Sequence, residues 1–155
     1  MKFSPENGGP ASKALTHAIE ERIADIGPND VPLGPESDER INPMPAYLER
    51  IRELVDLDRI RKAKLRVLAD CRFGTSRGYL DTLLRDAGCE VEVINNHPDP
   101  TFGGRPPEPA PAYCADLLER LRADRFDLAL GTDGDADRFG VYCGDGTYLQ
   151  PNEVL

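Results

Sequence analysis

Between Gly131 and Gly140 the chain reads Gly-Thr-Asp-Gly-Asp-Ala-Asp-Arg-Phe-Gly, which sets Asp133, Asp135 and Asp137 at alternate positions. On an extended backbone, side chains two residues apart share a face, so this spacing would throw three carboxylates to one side. Carboxylates crowded in that way repel one another, and burial would push their pKa values up unless a cation neutralises them. An all-oxygen, strongly anionic donor set calls for a hard divalent ion, and Mg²⁺ is the candidate. Arg138 follows directly, but one guanidinium cannot balance three charges. A calcium EF-hand also starts with acidic residues at its first, third and fifth positions. It further needs glycine at the sixth and glutamate at the twelfth, where this chain has Arg138 and Gly144. A solvated acidic turn is the competing reading.

The elements on either side decide how such a loop would be held. Phe126–Leu130 reads as a short strand before it and Arg138–Cys143 as another behind it. Ligand sites of open α/β sheets gather at the carboxyl ends of strands, and Gly131 and Gly134 give the backbone freedom to wrap an ion there. Upstream lies a βαβ unit: a strand over Leu65–Asp70, a helix from Ser76 to Ala87 stopped by Gly88, and a strand over Glu90–Asn95. Its two strands must be parallel. After a Pro-rich loop, Pro111–Asp124 predicts a helix with Leu117, Leu118 and Leu121 facing inward. Asp145-Gly146 marks a hairpin into Thr147–Leu149, so the last main strand should run antiparallel. The fold class is therefore α/β: a small mixed sheet, mainly parallel with an antiparallel last strand, sandwiched by helices.

Before this unit the pattern is different. Ser12 is placed to cap a helix through Ile26, with Leu15, Ile19, Ile23 and Ile26 near helical spacing and Gly27-Pro28 as its stop. One helix cannot cover its own apolar stripe. Residues 27–45 are rich in Pro, Gly, Asn, Asp and Glu and predict a linker. Tyr47–Val55 has the spacing of an amphipathic helix, and Asp58 is placed to cap a further helical turn. Pro151–Leu155 begins like another helix.

Secondary candidates are weaker. The turn Arg72–Gly78 leaves a strand and enters a helix, where backbone N–H groups attract phosphate; a plain tight turn capped by Thr75 or Ser76 accounts for it equally well. Arg105 could meet an anion, although the loop around it reads as structural. His17 and His97 have no metal-ligand partner at a familiar spacing. Cys71, Cys89, Cys114 and Cys143 contain no C-x-x-C pair and read as reduced, small hydrophobes.

Thr132–Arg138 resembles the metal loop D-G-D-x-D-R of the α-D-phosphohexomutases, the phosphoglucomutase and phosphomannomutase superfamily. Pro98–Pro109 is similar to the family's P-D-P-x-F-G-G-x-x-P-E-P loop. Lys2-Phe3 and Gly8-Gly9-Pro10 match a portion that in the family follows the phosphorylated serine of a T-A-S-H-N-P loop. The resemblance implies that this serine lies upstream of Met1, so that no catalytic nucleophile is in this chain and neither Ser4 nor Ser12 replaces it. It also implies a division into the tail of domain I over residues 1–45, a connecting helix over 46–64, domain II with the metal loop over 65–150, and the start of a link to domain III over 151–155. Asp133, Asp135 and Asp137 would then hold Mg²⁺, with Arg138 on the phosphoserine side. The implied activity interconverts hexose 1-phosphate and 6-phosphate, with domains I, III and IV as partners and the isolated fragment inactive.

Composition points to a small, soluble ligand. The 155 residues carry a formal net charge of -9, which argues against nucleic acid or an anionic membrane as partner. No apolar run is long enough to span a bilayer and no signal-peptide pattern opens the chain, so the expected compartment is the cytoplasm. The alternative from another class is a stand-alone cation-binding or interaction module without catalysis.

Overall fold

The computed structural model describes residues 3–27 and 41–154. Lys2, Leu155 and most of the expected linker lie outside the described residues. The chain divides into two compact units at Ile41/Asn42.

In the first unit, helix α1 spans Lys13–Ala24, and Ser12 caps it as the sequence predicts, accepting a hydrogen bond from the Leu15 N–H at 3.3 Å. None of its residues is buried, and Ile23 and Ile26 stand exposed.

The second unit carries the sheet. Its order of elements is α2 (Met44–Leu54), α3 (Leu57–Ala63), β1 (Arg66–Asp70), α4 (Leu80–Asp86), β2 (Glu90–Ile94), α5 (Ala115–Ala123), β3 (Leu128–Thr132), β4 (Phe139–Cys143), β5 (Tyr148–Leu149) and α6 (Pro151–Val154). The five strands lie in the order β2-β1-β3-β4-β5. β1 pairs in parallel with β2 and β3, and β4 is antiparallel to both β3 and β5. β1 is an interior strand, buried from Val67 to Asp70, which is why its apolar residues run on without alternating. On one face the core packs Leu68 and Ala129 of the sheet against Leu117 and Leu121 of α5, with Cys114, Phe126 and Tyr142 closing it.

Several helix starts differ from the sequence reading. α4 begins at Leu80 rather than Ser76, behind Tyr79, which makes no side-chain cap. The Ser76 hydroxyl is committed elsewhere, 2.7 Å from the Thr132 hydroxyl of β3. α5 begins at Ala115, because residues 111–113 form turns instead of a first helical turn. α2 starts at Met44, with Pro45 in its first turn where a missing N–H costs nothing. The cap of α3 is Asp56, which accepts from Arg59 N–H at 2.9 Å, while Asp58 lies inside the first turn.

Because β2 and β3 flank β1 on opposite sides, the chain reverses direction across the sheet between β1 and β3. Crevices for ligands form at the carboxyl ends of strands at such a reversal. The turn after β1 and the aspartate loop after β3 both emerge there.

Candidate metal centre

β3 ends at Thr132 and β4 begins at Phe139, so the aspartates occupy the loop between two paired antiparallel strands. Its ends are clamped: Asp133 N–H donates to the Arg138 carbonyl at 3.2 Å, and Arg138 N–H donates to Asp133 Oδ1 at 3.0 Å. Inside, Ala136 takes a left-handed conformation, φ 62°, and its N–H returns to the Asp133 carbonyl at 3.3 Å. The sequence predicts that the three carboxylates converge by alternation on an extended backbone. They converge instead around a tight turn, and one oxygen from each of Asp133, Asp135 and Asp137 lies within 4.8 Å of the others.

That spacing fits a hard cation. Oxygens around Mg²⁺ stand about 3 Å apart when adjacent and about 4.2 Å apart when opposite, so small side-chain rotations suffice to close the set. Asp133 is buried, whereas Asp135 and Asp137 face solvent, from where an ion would arrive. Among the described residues, the chemistry of this donor set, three carboxylates and no thiol or imidazole, suits Mg²⁺ better than a softer metal.

The loop is braced from both sides. Thr75 N–H donates to the Gly134 carbonyl at 3.0 Å. A Cβ on Gly74 would stand 2.5 Å from the same oxygen, so only glycine lets the turn after β1 approach so closely. Beyond it, Pro107 and Phe102 of the Pro-rich loop pack against Gly134. A cleft of about 400 Å³ opens beside the aspartates, lined by Tyr47, Thr75, Ser76, Tyr79, Thr132 and Asp135 among others.

Arg138 lies across the cluster. Its Nε donates to Asp133 Oδ2 at 2.9 Å and stands 3.6 Å from Asp137 Oδ1, while Nη1 donates to the Glu108 carboxylate. Glu108 first, and Asp133 after it, holds the guanidinium pKa above its ordinary value. Sequence reasoning missed Glu108. Its only signal was an acidic residue caught between prolines in Pro106-Pro107-Glu108-Pro109.

The other candidates have partners elsewhere in the chain or are buried. Arg105 stands 3.6 Å from Asp116. Arg72 is buried and donates to the Pro106 carbonyl at 3.0 Å, and Arg77 donates to the carbonyls of Phe73 and Gly74. His97 packs edge-on against Phe73, and His17 lies beside Glu21 on exposed α1. Cys71, Cys89 and Cys114 are buried free thiols whose pKa values burial pushes up. Among the described residues, no helix is long and apolar enough to cross a membrane.

This architecture recurs in solved structures of other proteins. A Thermus thermophilus crystal structure assigned as a phosphomannomutase superposes with a TM-score of 0.76 at 30% identity, covering 96% of this chain and 34% of that one. The phosphomannomutase/phosphoglucomutase of Pseudomonas aeruginosa PAO1 is 34% identical over 140 residues, 89% of this chain and 28% of the relative. A phosphoglucomutase/phosphomannomutase of Thermococcus kodakarensis is 36% identical over 109 residues, 70% of this chain and 24% of the relative. The chain thus spans about a quarter of the length of the curated relatives it matches. The family described as phosphoglucomutase/phosphomannomutase, alpha/beta/alpha domain II, matches residues 45–146, a stretch that includes the whole aspartate loop and both of its braces. The chain belongs to the phosphoglucomutase/phosphomannomutase family.

Proposed function

We propose that this chain is the metal-holding part of a phosphohexomutase, an intramolecular phosphotransferase that interconverts hexose 1-phosphate and 6-phosphate by way of a phosphoserine and a bisphosphate. The observation that carries the reading is the convergence of Asp133, Asp135 and Asp137 beside Arg138, at the reversal point of a sheet whose sequence matches the family. In this reading the three aspartates hold Mg²⁺, which when bound offsets negative charge on a transferred phosphoryl group. Asp133 fixes the loop from its buried position, because both of its oxygens accept hydrogen bonds from Arg138. Arg138 provides a second positive charge next to the ion, on the side where a phosphoserine would approach.

The division into domains follows the same reading: residues 1–45 end domain I, 46–64 connect, 65–150 form domain II and 151–155 lead toward domain III. The nucleophilic serine and the sugar-binding groups belong to domains I, III and IV, with the cytoplasm as the site of action. Ser12 is occupied as a helix cap, which supports leaving it out of the chemistry.

A coupled assay with a hexose 1-phosphate, Mg²⁺ and a trace of hexose bisphosphate tests the proposal. The chain alone is expected to give background only. A polypeptide that joins it to the family's serine-loop and sugar-binding domains is expected to turn over, and to lose activity on the order of 100-fold or more when Asp133, Asp135 or Asp137 becomes Ala. Activity that survives all three changes would overturn the reading, as would turnover by the chain alone that disappears with Ser4 or Ser12. Metal binding by the chain without any turnover in the joined protein would favour the stand-alone cation module.

A further inference from the structure

Glu108 is held more firmly than an ordinary surface carboxylate. Three backbone carbonyls in its stretch accept from buried groups: Pro106 from Arg72 at 3.0 Å, Glu108 from the Cys114 thiol at 3.6 Å, and Pro109 from the Tyr142 hydroxyl at 2.8 Å. Pro107 and Pro109 fix φ on either side. Gly140 of β4 presses so closely that a Cβ there would meet the Pro109 carbonyl at 2.3 Å. From this backbone the Glu108 carboxylate reaches Arg138 Nη1, at the rim of a hollow of about 230 Å³ that Asp137 and Tyr148 also line.

Arg138 has two sets of partners. One is the aspartate trio, through Asp133 Oδ2 at 2.9 Å and Asp137 Oδ1 at 3.6 Å; the other is Glu108. A divalent cation and the guanidinium both seek the same aspartate oxygens, and like charges at such separation repel. A cation at this trio competes with Arg138 for Asp133, and a guanidinium that yields needs a carboxylate that is not itself a metal ligand. Glu108 lies outside the trio and already touches the far end of the same side chain.

We propose that Glu108 is a positioning residue that takes up the Arg138 guanidinium, freeing Asp133 and Asp137 for the metal while keeping Arg138 beside it. The inference rests on the metal reading given above. It separates two jobs that the acidic residues of this surface could otherwise share: the aspartates bind the ion, and Glu108 binds the residue that competes with it. With a metal in place, the Glu108–Arg138 pair holds a positive charge at a fixed distance from the ion rather than letting it swing into solvent.

Titration of the full chain with Mn²⁺, a paramagnetic substitute for Mg²⁺ read by electron paramagnetic resonance, tests this with the wild type and four variants. Arg138→Gln removes the competitor and should tighten Mn²⁺ binding by about fivefold, the upper range for an exposed ion pair. Glu108→Asp keeps the charge but withdraws it by one methylene on a backbone that cannot follow. It should weaken Mn²⁺ binding by about threefold, for the same reason. In the double variant Glu108→Asp should have no further effect. If Glu108 acts only through long-range charge, Glu108→Asp will leave affinity unchanged, and the proposal fails. Equal loss in the presence and absence of Arg138 also overturns it. A wild-type chain that shows no Mn²⁺ signal, or one whose signal survives Asp135→Asn, would instead remove the metal reading itself.

Discussion

Two assemblies of the same charges sit at the carboxyl ends of adjacent strands, and they behave in opposite ways. After β1, Arg72 stands between Asp70 and Asp116, 3.6 Å and 3.5 Å from their nearest oxygens. After β3, Arg138 stands between Asp133 and Glu108. The first is closed around its arginine: Asp70 is 0% and Arg72 2% exposed, of these charges only Asp116 reaches the surface, and Asn95 bridges the two aspartates with hydrogen bonds of 2.8 Å and 2.9 Å. The second is open, with the Arg138 side chain 57% exposed. In a low-dielectric site a charge that loses its partner has no water to turn to, so Arg72 and Asp70 cannot trade partners. Solvent screens the second, and its arginine can exchange one carboxylate for another at little cost. The same residue types therefore make a girder in one place and an exchangeable site in the other, and access to water decides which.

The largest expected effect comes from breaking the girder. Arg72→Met preserves bulk but leaves the buried Asp70 carboxyl without its cation, which should cost about 3–5 kcal/mol. It also removes a support of Pro106 and hence of the loop that carries Glu108. Asp135→Asn, on the exposed side of the other assembly, should move stability by no more than about 0.5 kcal/mol. Urea unfolding of both variants measures this. A loss from Asp135→Asn comparable to that from Arg72→Met would break the comparison, since the aspartate loop would then be a structural element too.

A smaller effect is expected where the two regions touch. The Cβ of Gly74→Ala would stand 2.5 Å from the Gly134 carbonyl and 2.9 Å from that of Asp133. These are backbone atoms, so the loops must part, and overpacking of this kind costs about 1–3 kcal/mol. Because the displaced atoms belong to the aspartate loop, Mn²⁺ affinity should fall together with the unfolding midpoint. A stable variant with unchanged metal binding would show that the turn after β1 does not position the trio.

The sheet was legible from the sequence because its physics is local: β-branched runs, glycine stops and the Asp145-Gly146 turn fall where periodicity and turn chemistry place them. Four strands were expected within two residues of where they lie, and the short β5 within one. Helix starts were less legible. Ser76 looks like a cap, yet its hydroxyl is drawn to Thr132, 56 residues away, and no local rule anticipates that bond. The aspartate trio was legible as a cluster, but not the turn that builds it, because Ala136 at positive φ has no sequence signal where glycine would be expected. Glu108 was invisible for a further reason. Its meaning depends on Arg72, Cys114 and Tyr142 locking a Pro-rich stretch across strand ends, and residues on three different elements must fold before it faces Arg138.

The finest test concerns protons, and it lies within the girder itself. Burial pushes the Asp70 carboxyl above the usual value, more than Asn95 and the N–H and guanidinium of Arg72 can pull it down. Asp116 is also pushed up by burial, but Asn95, the Leu117 N–H and Arg72 together outweigh that and bring it below the usual value. The signs then oppose. A raised folded pKa means that the contribution of Asp70 to stability is fully present below its unfolded value near 3.8 and is lost as pH rises through the folded value. The contribution of Asp116 is present above 3.8 and is lost as pH falls through its own, lower value. Carboxyl-detected NMR titration should therefore show Asp70 taking its proton before Asp116 as the solution is acidified. The stability advantage of wild type over Asp70→Asn should grow as pH falls toward 3.8, at a slope no greater than about 1.4 kcal/mol per pH unit. If Asp116 titrates first, the charge that Arg72 balances in acid sits at the end of β1 rather than on α5. The arginine would then anchor the strand from which the aspartate loop is braced instead of tying helix to loop.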